Sequence, residues 1–140
     1  MSSITPIQPI APIDGDGYVP GACNIGPWEI RRRRAFAVVG FAAAAVLFAV
    51  LVALDAPAVA RALVFLPLMG GAFSYLQARR RFCAAYAFQG IANFADALDG
   101  VRRVQDDAAR RADLAAVARM TRDAALIALP IAIVAVILPV

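Results

Sequence analysis

Two cysteines are the only side chains in this sequence with obvious nucleophilic or redox chemistry, and arginines stand near both. Cys23 lies in "GACNIGPWEIRRRR", residues 21 to 34, and Cys83 follows directly on "QARRRF". Positive charge favours the thiolate, which is both the nucleophile and the soft-metal ligand. If both thiols lie at one face, they have the means to exchange disulfides, relay sulfur or hold a soft metal ion. The spacing argues for less. There is no CxxC pair and no histidine, and cysteine is also a common small packing residue. Lipid attachment at Cys23 is unsupported, because Pro20 stands where an apolar residue is needed and no apolar signal core precedes it.

Other chemistry is scarcer still. Glu29 is the only glutamate and histidine is absent, so the usual general acid–base sets are missing. The aspartates of the polar stretch from residue 101 on sit among arginines and read as solvated ion pairs. No phosphate-binding glycine loop occurs. Carriers place ionisable groups inside their spans, whereas here only Ser74, Tyr75 and Gln77 gather at one end of an apolar run. The expectation is a chain that is not an enzyme, with no catalytic, cofactor-binding or metal residues. Cys23 and Cys83 stay as thiol candidates.

The elements that would position these residues are membrane spans. Hydrophobic residues make up 62% of the 140, well above the roughly 45–50% of soluble domains. Residues 35–54 carry no charge, and 20 residues at about 1.5 Å each match the bilayer core. A second span is expected over 62–78, starting as early as Pro57 if Arg61 snorkels to the interface, and a third over 124–140. The fold class is thus an all-α membrane protein with three transmembrane helices. Residues 1–22, with four prolines, read as an extended or disordered tail, and residues 23–140 as one helical membrane domain.

All fourteen basic residues are arginine, and their distribution gives an orientation. Arg31, Arg32, Arg33 and Arg34 precede the first span, Arg79, Arg80 and Arg81 follow the second, and six more lie between 102 and 122. By the positive-inside rule the N-terminus and the 79–123 connection are cytoplasmic, with the C-terminus on the outer face. A net charge of +4 tied to span ends does not suggest nucleic acid. Trp28 anchors the first helix at headgroup level, and the arginines meet anionic headgroups.

The connection between the second and third spans is expected to be helical in two parts. Phe82, Tyr86, Phe88, Ile91, Phe94 and Leu98 make a rough stripe that lies at the interface or extends the second helix, with Gly100 as its stop. A polar helix then follows, with Asp99–Arg103 and Asp106–Arg110 pairs and Val104, Ala108, Leu114, Val117 and Met120 on one face. It is expected to run on into the third span. Small residues allow close helix packing in lipid: Gly40 with Ala44, Gly70 with Ser74 beside Gly71, and the ridge Ala124, Ala128, Ala132. Pro67 and Pro130 predict kinks.

Around the first span, Asn24, Ile25, Gly26, Glu29 and Arg33 give the chain a resemblance to the YgaP-like transmembrane family of small bacterial inner-membrane domains. It covers residues 24 to 54. Ile30 replaces an arginine of the family pattern, Gly40 is displaced from the family's glycine site, and the third span exceeds its two-helix form. The resemblance implies a multi-pass protein of the bacterial inner membrane. Because some members are fused to rhodanese domains, it also implies a link to sulfur handling. The functional expectation is an accessory or scaffold subunit packing against a partner's membrane helices or its own copies. The alternative is thiol-based handling of sulfur, redox state or soft metal through Cys23 and Cys83.

Overall fold

The computed structural model describes residues 17–95, 101–104 and 106–140. Three of its helices are long and apolar enough to cross a membrane. The first, α1, spans Pro27–Ala53. Pro27 opens it, where a missing N–H is harmless and the fixed φ suits a helix. After a turn at Asp55, a 3₁₀ segment, Ala58–Val64, leads into α2, Phe65–Arg80. Pro67 falls in the first turn of α2, where it breaks no intrahelical bond. A short α3, Ala84–Gln89, precedes strands β1, Ile91–Asn93, and β2, Val101–Arg103. The last helix, α4, runs unbroken from Asp107 to Ile137 with Pro130 inside it.

The helix directions put nearly all the arginines at one end. α1 and α4 start there, and α2 finishes there. At the far end Arg61 is buried rather than extended to solvent, and donates from Nη1 to the Leu138 carbonyl at 2.9 Å and from Nη2 to the Val140 carbonyl. This closes the start of the second span against the end of α4.

α2 is the middle element, packed on α1 at one side and α4 at the other. Its approach to α1 is set by glycine. A Cβ built on Gly40 would lie 2.6 Å from the Cα of Gly71, and one on Gly71 would lie 3.0 Å from the Phe41 nitrogen. Ala44 is buried one turn further along α1, while Gly70 faces open space and Ser74 is partly buried. The contact on α2 is therefore made by Gly71, one residue (about 100° of helix) away from Gly70. On α4, Ala124, Ala128 and Ala132 are all buried against α2 and the 3₁₀ segment.

Two expectations about the connection need correction. It is not helical throughout: Ile91 belongs to β1, which pairs antiparallel with β2 in the register Ile91–Arg103, Ala92–Arg102, Asn93–Val101. The all-α description therefore gives way to a helical fold with a two-stranded sheet. The buried face of α4 is also different from the one expected, because Ala108 and Leu114 are exposed while Ala109, Asp113 and Ala116 join Val117 and Met120 inside. Asp106 caps α4 by accepting from the Ala109 N–H at 3.0 Å, the usual work of an N-cap aspartate. Residues 1–16, Leu98, Asp99 and Gly100 lie outside the described residues.

The glycine contact yields a paired prediction. Gly40→Ala forces a methyl against backbone that has no free side chain to move, and is expected to lower stability by about 1–3 kcal/mol, the usual range for overpacking. Gly70→Ala, facing open space, is expected to leave stability unchanged or slightly higher. Unfolding of both variants in detergent micelles measures the difference.

Candidate functional site

The polar residues that hydropathy leaves unexplained meet at the arginine-rich end. Asn24 is fully buried and uses every hydrogen-bonding group it has. Its side-chain oxygen accepts from the Cys83 N–H at 2.7 Å, and its side-chain nitrogen donates to the Cys83 carbonyl at 3.0 Å. Its backbone N–H donates to the Arg81 carbonyl, and its carbonyl accepts from Asn93 N–H. One amide side chain thus binds the chain before α1 to the chain after α2, while its backbone holds β1. Gly26 continues the pairing by donating to the Asn93 carbonyl at 2.9 Å, and a Cβ there would lie 2.7 Å from the Phe94 carbonyl oxygen.

One turn into α1, Glu29 has no exposed surface. Its Oε1 accepts from the Tyr86 hydroxyl at 2.7 Å and from Arg32 Nη1 at 3.2 Å, and its Oε2 lies 3.7 Å from Arg33 Nη2. Arg33 Nη2 also reaches the Cys83 sulfur at 2.9 Å. Burial, and then the bond to Glu29, push the Tyr86 hydroxyl above its ordinary value near 10. A buried carboxylate is tolerable only with such partners.

A second buried acid ties down the chain before Asn24. Asp113 on α4 accepts from the Tyr18 hydroxyl at 2.8 Å and from the Gly21 N–H at 2.7 Å. Asp113 is fully buried and so is not the solvated ion-pair member expected of that helix. Residues 17–22, read from the sequence as the end of a loose tail, turn back onto α4 through these bonds and the Val19–Cys23 bridge. Burial and the Asp113 contact raise the Tyr18 hydroxyl well above the ordinary tyrosine range.

The two cysteines are separated by this arrangement. Neither is in a disulfide, and they do not form a near pair. Cys83 is buried with Ile25 and Tyr86, while Cys23 lines an open cavity on the other side of the loop. The four consecutive arginines divide in the same way. Arg32 and Arg33 turn toward Glu29, with Arg32 also 4.8 Å from the centre of the Trp28 ring. Arg31 and Arg34 face the Cys23 cavity, of about 360 Å³, together with Arg81. Arg79 donates to the Tyr75 hydroxyl and Arg80 bonds Asp123 across to α4. Arg80 also lines a second open cavity of about 500 Å³ with Arg119 and Arg122. Among the described residues, no group of three or more His, Cys, Asp or Glu is placed to hold a metal ion.

Of the residues the sequence offers for chemistry, only Cys83 enters the buried network, and it does so mainly through its backbone. Tyr86, Asn93, Asp113 and Tyr18 are what sequence reasoning missed. A buried partner for the lone glutamate was the available signal, since an unpaired acid beside a span needs one. Comparison with family models, curated proteins and solved structures finds no match for this chain.

Removing the hydroxyl in Tyr86→Phe leaves Glu29 a bond short and is expected to cost about 1–3 kcal/mol. The pH dependence has a definite sign. Because the folded-state value is raised, the Tyr86 contribution is complete below pH 10, the ordinary value, and is lost as pH climbs through the higher folded value. Stability measured from neutral to strongly alkaline pH should fall above that point, and Tyr86→Phe should fall less steeply than the parent.

Proposed function

We propose that this chain is a non-enzymatic, multi-pass protein of the bacterial inner membrane that serves as an accessory or scaffold subunit. Its arginine-rich end, with the 79–123 connection, lies in the cytoplasm, and the end marked by Arg61 lies at the outer face. The observation that carries the reading is the contrast between the two kinds of surface. The buried polar side chains at the arginine-rich end are spent on one another, in bonds that hold chain segments together. The spans, by contrast, present large apolar side chains outward. Phe36, Val38, Val39, Val46 and Val50 are exposed on α1, and Leu126, Leu129, Ile133 and Ile137 on α4. Lipid covers part of such a surface, and a partner's helices are the proposed cover for the rest.

A second reading, thiol chemistry, is favoured by one contact, the guanidinium of Arg33 on the Cys83 sulfur. The complete burial of Cys83 and its distance from any thiol partner within the fold make it the weaker of the two.

Extraction from the native membrane in mild detergent, followed by the mass of the intact assembly, separates them. The accessory reading predicts a mass containing a second polypeptide, retained when Cys23 and Cys83 are both replaced by serine. A bare chain or homo-oligomer carrying added sulfur or metal, lost in the double serine variant, would move the assignment to the thiols.

A further inference from the structure

The cavity of about 500 Å³ between the end of α2 and the middle of α4 carries more positive charge than its acid answers. Arg80, Arg119 and Arg122 line it with a single carboxylate, Asp123. Both oxygens of that carboxylate are taken. Arg80 bonds Oδ2, and Arg122 reaches Oδ1 from Nε and from Nη2, each at 2.9 Å. Arg119 is exposed and has no hydrogen-bond or ion-pair partner among the described residues. Like charges around one concavity repel each other unless an anion joins them. The cavity is held in shape from its third side by the turn at Gly21, whose N–H is bound by Asp113. Gly21 takes φ 70°, and a Cβ there would lie 3.0 Å from the Ala112 carbonyl oxygen, so glycine is what lets this wall close on α4.

A second, independent observation is what lies further along α4. Arg119, Arg122, Leu126, Leu129 and Ile133 recur every three or four residues and so share one face of the helix. Leu126, Leu129 and Ile133 are exposed. Leu129 and Ile133 also line a separate groove of about 350 Å³, closed on its other side by Ala62 and Phe65 and apolar in all its lining residues. From Arg122 to Leu129 is about 10 Å along the helix axis, and to Ile133 about 16 Å. The basic cavity itself lies where two charge-free runs end, since Arg80 follows residues 62–78 and Asp123 precedes residues 124–140. That is the depth of lipid headgroups for a chain whose apolar runs cross the bilayer.

We propose that an anionic phospholipid binds here, with its phosphate at Arg80, Arg119 and Arg122 and one acyl chain laid over Leu126 into the groove at Leu129 and Ile133. Guanidinium groups match phosphate oxygens with paired, charge-assisted hydrogen bonds. A negative headgroup restores the balance that Asp123 leaves short, and the acyl chain covers apolar surface that runs from the same arginines. Such a site requires the membrane-embedded spans of the function proposed above but not its partner subunit. Loss of the second polypeptide from the intact assembly and loss of lipid selectivity are therefore separate results.

The test is a calorimetric titration of the purified full chain in maltoside micelles with three probes: dilauroyl phosphatidylglycerol, dilauroyl phosphatidylcholine and inorganic phosphate. The site predicts at least tenfold tighter binding of phosphatidylglycerol than of phosphatidylcholine, and weaker binding of inorganic phosphate than of phosphatidylglycerol. Arg119→Gln is the decisive variant, because that side chain holds no other part of the fold, and at least a threefold loss of phosphatidylglycerol affinity is expected. Arg111→Gln, an equal change of charge on α4 outside the cavity, is expected to leave affinity unchanged. Ala62→Leu fills the groove with an apolar side chain at an exposed position, and is expected to cost at least threefold in phosphatidylglycerol affinity. Equal affinity for the two lipids, or unchanged affinity in Arg119→Gln, would overturn the proposal. Inorganic phosphate bound as tightly as phosphatidylglycerol, or full affinity in Ala62→Leu, would overturn the lipid as the occupant.

Discussion

The junction of α1, α2 and α3 at the arginine-rich end is organised around the burial of Glu29. A carboxylate without exposed surface must be met by charge and hydrogen bonds, and losing one partner of such a group typically costs several kcal/mol. Meeting that demand requires α3 to be close enough to α1 for Tyr86 to donate, which in turn requires the turn after α2 to be held in place. Asn24 does this by pairing with both backbone groups of Cys83, as a neighbouring strand would. The network thus acts as a clasp. It closes the start of α1, the end of α2, α3 and β1 around one acid, and Asp113 fastens the preceding turn to α4.

The basic residues are sorted by their own partners. Positive charge at span ends is commonly taken as a topology signal with interchangeable members. In this chain the residues are not equivalent. Arg32 and Arg33 neutralise a buried acid, Arg80 crosses to Asp123, Arg61 secures the far end through carbonyls, and Arg31, Arg34 and Arg81 line a shared cavity. Helical spacing enforces the split between 32–33 and 31–34, because residues three apart share a face while their neighbours between them point elsewhere.

How much of this was legible in the sequence depends on the range of the interactions involved. The three long apolar helices were readable because the charge-free runs of α1, α2 and α4 are visible as such, long and apolar enough to cross a membrane, and α4 continues into its apolar half as its uninterrupted pattern implied. The hairpin was not, since three-residue strands are too short to show a period of two and the aromatic stripe, helical at Tyr86 and Phe88 in α3, carries on through Ile91 and Phe94 as if the helix did. Gly70 and Gly71 are adjacent, so only the rotation of α2 about its axis decides which one touches Gly40. Asp113 looked solvated because its arginine neighbours did, yet its partners lie more than ninety residues away. Asn24, Ile25, Gly26, Glu29 and Arg33 all fall in the clasp. Their spacing was visible in the sequence, but the partners that explain it were not.

The claim beneath this account is that the clasp and the helices form one cooperative unit. Amide hydrogen exchange tests it most directly, at the N–H groups of Gly26, Cys83 and Asn93, which donate within the clasp. If the clasp opens only when the helices do, these three amides exchange as slowly as those in the centres of α1 and α2, and all slow together. Exchange at the clasp orders of magnitude faster than in the helix centres would contradict the account. It would mean that the polar end opens by itself and that the helices stand without it.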